Sequence, residues 1–175
     1  AFPVIFIAVL SIGCSGIAVN YVADKTCGGS AKLFGGNDVI PIVTGSLPIT
    51  LIALEGLNDK KPGHECVASA LAEGYASYGY LALQPPASLQ KPSAEFTNYY
   101  MEVSRTYGKG YRAAMGVLEK KYPGLTMALD KQDRGLLVKI LPQFKKQDMN
   151  LLYWSFVNFA LQTDARLKIA RTEGR

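Results

Sequence analysis

The sequence predicts an all-α protein in which an N-terminal membrane-embedded helix is followed by a helical-bundle domain. Three observations carry that expectation. Residues Ala1 to Val22 contain no charged side chain. The second half places apolar residues at helical spacing, and outside a Gly-rich connector nothing alternates with the two-residue period of a strand. At 175 residues, one domain with a core plus an appendage is the expected organisation.

The first element is the run AFPVIFIAVLSIGCSGIAVNYV. At ~1.5 Å per residue its length suffices to cross the ~30 Å hydrocarbon core of a bilayer. We therefore assign residues 1–23 to a membrane anchor helix. Within it, Leu10, Ser11, Ile12, Gly13 and Cys14 resemble the lipobox of bacterial lipoproteins, with Ser11 where Leu is preferred. That resemblance implies acylation at Cys14 after cleavage.

Residues 24–63 read as a Gly- and Pro-containing connector. Its first part, TCGGSAKLFGGND, carries two glycine pairs. Its apolar segment, residues 39–57, holds a single acid, Glu55, and two prolines, Pro41 and Pro48. Because proline lacks the N–H of a helical hydrogen bond, irregular backbone is expected first, then a short helix from about Pro48.

Residues 64–175 form the expected helical domain. A helix from about His64 to Leu83 places small residues at Ala68, Ala72 and Ala76, four apart, so that another helix can approach closely. Pro85 and Pro86 end it. Ser93 is suited to cap the next helix, in which Phe96, Tyr99, Tyr100, Val103 and Tyr107 share a stripe. The pattern continues through Tyr111, Met115, Leu118 and Tyr122, across Gly108 and Gly110, which predicts one kinked helix or two with a tight joint. Pro123 and Gly124 stop it. Asp130 with Asp133 suggests a cap for a short helix to about Leu141, and Asp148 opens the last helix. The first half of that helix, MNLLYWSFVNFAL, is apolar almost all round and too short to span a membrane, which suits burial in a core or a partner interface.

Charge divides the chain. Residues 1–90 hold four lysines, no arginine and six acids; residues 91–175 hold fifteen basic residues and eight acids. The basic half suits an anionic surface such as phospholipid headgroups. No Lys/Arg run and no RNP-like aromatic motif is present, which argues against nucleic acid.

Chemistry is poorly provided for. The one histidine, His64, lies two residues from Cys66, so their side chains diverge, and GxSxG, HExxH, Walker A and dinucleotide motifs are all missing. No cysteine or histidine spacing suits zinc, and neither a metal nor a cofactor is expected. For paired-carboxylate chemistry only Glu55, Glu65 and Glu73 lie in suitably apolar surroundings. Glu65 followed by Pro86, Ala87 and Ser88 resembles the spacing in lytic transglycosylases, without that family's Ser, Gly-Leu-Met-Gln and Tyr-Asn-Ala-Gly motifs. In an oxidising compartment Cys27 and Cys66 are the natural disulfide pair.

Ten tyrosines, seven of them between Tyr75 and Tyr111, supply an interface-like palette. Tyr99, Tyr100, Tyr107, Tyr111 and Trp154 are the expected interface residues. The functional expectation is a non-enzymatic structural or accessory subunit of a membrane-associated assembly, partnered by other protein subunits and the bilayer, single-pass or envelope-anchored. The alternatives are an envelope lipoprotein acylated at Cys14 with a binding or assembly role, and a membrane-tethered glycan hydrolase using Glu65 or Glu73.

Overall fold

The computed structural model describes residues 19–25, 40–83, 85 and 93–172, with backbone only for 40–44. Residues 19–25 are helical. Six helices follow: α1 (Ile40–Lys60), α2 (Glu65–Leu81), α3 (Ala94–Lys121), α4 (Leu125–Asp130), α5 (Arg134–Ile140) and α6 (Met149–Thr172). Two single 3-10 turns, Leu141–Gln143 and Lys146–Asp148, join α5 to α6. No strand occurs among the described residues, so the all-helical expectation holds.

Helix α3 is the centre of the arrangement. It packs most extensively against α6 and next against α2, while α2 also meets α6 and α1. The small residues expected to permit close approach, Ala68, Ala72 and Ala76, are all buried. Ala68 and Ala72 share a core with Met115 and Leu118 of α3 and Leu151 of α6. A second cluster joins Leu51 and Leu54 of α1 to Val67, Leu71 and Tyr75 of α2, and Ala23 sits in it. A third, Tyr100, Val103, Tyr107 and Ala165, closes the far end of the α3–α6 contact.

Several expectations are corrected. Residues 40–60 form one helix with Pro48 inside it, not irregular backbone followed by a short helix. The buried Leu47, Leu51 and Leu54 explain why: packing one face against α2 outweighs the single hydrogen bond that Pro48 forfeits. Of the two forms expected across Gly108 and Gly110, a single helix or two joined tightly, α3 is the single helix. Asp133 alone caps α5, accepting from the Leu136 N–H at 3.0 Å, whereas Asp130 ends α4. Helix α4 itself was not expected. It starts because Glu119 reaches past the Pro123–Gly124 turn and accepts from the N–H groups of Gly124 and Thr126, both at 2.7 Å. Gly124 sits at φ +89°, a conformation that favours glycine.

Among the described residues no helix is long and apolar enough to cross a membrane. Residues 1–18 of the expected anchor, with Cys14, lie outside the described residues, as does Cys27. The described end of that run belongs to the fold, since Ala23 is fully buried beside α1 and Asp24 accepts a hydrogen bond from His64 Nε2 at 2.9 Å. His64 is therefore the residue that precedes α2 and ties it to residues 19–25.

Candidate functional site

Helix α6 positions the surface most suited to interaction. Its inward face is Leu151, Ser155, Asn158, Gln162 and Ala165, spaced four, three, four and three apart. The near-continuous apolar sequence leaves more large side chains than that face accommodates. Tyr153, Phe156 and Phe159 are consequently turned outward, at 59%, 57% and 49% exposure. Three aromatic residues exposed within two turns of one helix are far from the scattered apolar residues of an ordinary surface.

Beside this face lies a groove of about 330 Å³ whose walls include Met115, Leu125, Leu137, Phe144, Phe156 and Phe159. Tyr111 forms part of it, its ring 5.6 Å from that of Phe159. Burial, and secondarily the nearby Asp130 charge, push the Tyr111 hydroxyl above its ordinary pKa. Among the described residues, Asp130 is the one charged residue lining the groove. The described residues thus form a hydrophobic receptacle with a single acidic rim position.

Two polar networks hold the helices that frame it. Asp148 is fully buried and accepts from Lys121, from the Tyr122 hydroxyl and, at 2.7 Å, from the backbone N–H of Lys145. Burial alone would raise its pKa, but these three donors together hold its carboxyl below the ordinary range. Lys121 also reaches Glu65 at 2.9 Å, so one ammonium clamps the start of α2 and the start of α6 onto α3. In the second network, at a cleft of about 400 Å³ between α1, α2 and α3, the Tyr75 hydroxyl donates to Glu55. Lys109 Nζ lies 2.9 Å from Glu55 and 3.3 Å from the Tyr75 oxygen. The Tyr75 bond, then Lys109, draw the Glu55 carboxyl down, and burial pushes the Tyr75 hydroxyl far up.

The residues expected at an interface separate into two groups. Tyr100 and Tyr107 are 7% and 5% exposed and belong to the α3–α6 core, which corrects the expectation that they face a partner. Tyr99 is half-buried with its ring edge-on to Tyr100 at 5.3 Å, and Tyr111 walls the groove. Trp154 is half-buried, edge-on to the exposed Tyr153 at 5.0 Å. Tyr153, Phe156 and Phe159 were not among the interface residues named from the sequence, although the run that holds them was read as suited to a core or a partner interface. The signal was present: an apolar run with no polar side of its own on a helix that has only one inward face.

The carboxylates proposed for glycan hydrolysis do not form a pair. Glu65 is held by Lys121, and Glu73 lies eight residues further along the same helix, about 12 Å by helical rise, beyond the spacing such chemistry uses. Glu73 is partly buried, and desolvation pushes its carboxyl up. Cys66 is disulfide-bonded, and the other two cysteines lie outside the described residues.

A family model described as TRAP transporter T-component matches residues 36–167. The chain belongs to the TRAP transporter T-component family. The match runs from just before α1 to within the last turns of α6, so the aromatic face, the groove and both polar networks lie inside the T-component region. The uncharged N-terminal run lies before it. An uncharacterized protein of Treponema pallidum (strain Nichols) is 31% identical over 126 residues, covering 70% of this T-component chain and 39% of that relative. The chain thus spans well under half the length of the curated relative it matches.

Proposed function

We propose that this T-component chain is the helical core of a non-enzymatic accessory subunit of a TRAP transporter, and that it binds another subunit of the transporter through the outer face of α6 and the rim of the adjoining groove. Membership of the T-component family supports the assignment to such an assembly. The observation that carries the choice of surface is the exposure of Tyr153, Phe156 and Phe159 side by side on one helix. Aromatic side chains of this kind supply the large, rigid contact area on which protein interfaces depend.

The double substitution Phe156→Ser and Phe159→Ser tests it. Co-purification of the tagged T-component with the other transporter subunits is expected to fall by about tenfold or more, since each anchor contributes ~2 kcal/mol. Undiminished recovery, with the fold intact by circular dichroism, would move the interface elsewhere.

The tether is a second part of the reading. The uncharged run of residues 1–22 attaches the subunit to a membrane, as an inserted helix or through acylation at Cys14. The mass of the mature N-terminal peptide distinguishes the two forms, and a protein that stays in the supernatant with neither would remove the tether altogether.

A further inference from the structure

Glu73 of α2 is a carboxylate without a counter-ion. It is half-buried, desolvation pushes its carboxyl above the ordinary range, and no lysine or arginine among the described residues pairs with it. Its neighbours in the fold are treated differently. The half-buried Glu55 and Glu65 pair with Lys109 and Lys121, and the buried Asp148 pairs with Lys121 as well. A desolvated carboxylate left alone is unfavourable, and a cation that arrives beside it relieves that cost.

The surroundings of Glu73 suit a cation from outside the chain. The carbonyls of Ala72 and Trp154 both accept from the Asn158 amide, at 2.8 Å each, so Glu73, the next residue along α2, stands beside the Trp154 turn of α6. One turn earlier, Asn150 donates to the Ser69 hydroxyl at 2.6 Å across the same seam. Trp154 is half-buried, and the exposed Tyr153 stands edge-on to it with ring centres 5.0 Å apart. Lysines lie over the rings of Tyr21, Tyr75 and Tyr100, but among the described residues no cation lies over Tyr153 or Trp154. An acid beside two aromatic rings can hold a guanidinium or ammonium by charge and by the ring quadrupole together.

We infer that the seam between α2 and α6 at Glu73, Tyr153 and Trp154 receives an arginine or lysine side chain of the subunit that docks on α6. The inference rests on the reading that α6 binds another transporter subunit, and it adds the chemistry of that partner, a basic position opposite Glu73. An aromatic face alone would accept any apolar surface. The unpaired carboxylate makes the selection, because an apolar or acidic group set against it would bury its charge with no partner. Arginine fits best, since its planar guanidinium can bond both carboxylate oxygens while lying against a ring.

The full-length chain and its Glu73→Gln variant give the test, through co-purification with the other transporter subunits and through thermal melting of each chain alone. Glu73→Gln is expected to melt no lower than the parent, because it removes a desolvated charge that nothing in the chain pairs, and yet to weaken subunit binding about tenfold or more. Glu73→Lys, which sets like charges together, is expected to weaken it further. Full recovery of the subunits by Glu73→Gln, where Phe156→Ser with Phe159→Ser loses them, would overturn the inference and leave the docking on α6 standing. Full recovery by both would overturn both. Loss with Glu73→Gln alone would keep the cation site and move the apolar part of the interface away from Phe156 and Phe159. A Glu73→Gln chain that melts lower on its own would show the carboxylate to be paired within the chain, and would also overturn the inference.

Discussion

The side chain of Asn158 occupies the space that Gly110 leaves free: a Cβ at Gly110 would stand 2.5 Å from Asn158 Oδ1. From that position, fully buried, the Asn158 amide donates to the carbonyl of Ala72 on α2 and to that of Trp154 on its own helix, both at 2.8 Å. One amide thus links α2 and α6 across α3. One turn along, Gln162 and Gly108 repeat the relationship, with Gln162 Nε2 donating to the Ser104 carbonyl at 3.2 Å. The two glycines that suggested a kink or a joint are where polar side chains of α6 pack directly against the α3 backbone.

Gly110→Ala is accordingly expected to destabilise the domain by ~2 to 4 kcal/mol, in spite of the higher helix propensity of alanine. The added methyl displaces a buried amide whose hydrogen bonds have no substitute. Urea unfolding of the two proteins gives the difference directly, and a stabilised variant would mean that α3 and α6 are further apart than described.

Asp148 sets an acid limit. Its carboxyl titrates below the ordinary aspartate range in the folded chain, so its stabilisation is complete above that range and is lost as pH falls through the depressed value. Asp148→Asn is expected to cost ~3 to 5 kcal/mol at neutral pH, because it breaks a buried pair and leaves Lys121 with Glu65 alone. The variant should also show a shallower loss of stability on acidification than the parent. Parallel slopes from melting curves between neutral and acid pH would contradict the assignment.

Tyr107 and Phe156 are both aromatic residues on apolar helical stripes, yet they are expected to behave oppositely. Tyr107→Ala opens space in the core under Gly79 and should cost ~3 kcal/mol or more. Phe156→Ala, at an exposed position, should cost under ~1 kcal/mol while weakening subunit binding. Thermal melting set beside co-purification separates the two roles.

Cys66 is disulfide-bonded, and we propose Cys27 as its partner. The pair would enclose 38 residues, and reducing it is expected to remove roughly 3 to 4 kcal/mol on the chain-entropy account. Non-reducing peptide mapping identifies the linked peptide; a Cys66 peptide joined to Cys14 would replace this pairing.

The sequence by itself determined the helical class and most of the helix ends. Ser93 caps α3 by accepting from the Phe96 N–H at 3.1 Å, Pro123 and Gly124 end it, and α6 begins directly after Asp148. These are local properties: a cap or a break depends on a few adjacent residues. Periodicity also grouped Tyr100, Val103 and Tyr107 on one stripe, but it cannot say what the stripe faces. Only the tertiary structure turned those tyrosines into the core and left Tyr153, Phe156 and Phe159 outside, because that depends on which helix arrives opposite. The same holds for Asp148 and Lys121, 27 residues apart, and for Pro48, kept within a helix by leucines that pack on α2. Contacts between distant parts of the chain outweighed the local preference in each case, and no window of neighbouring residues records them.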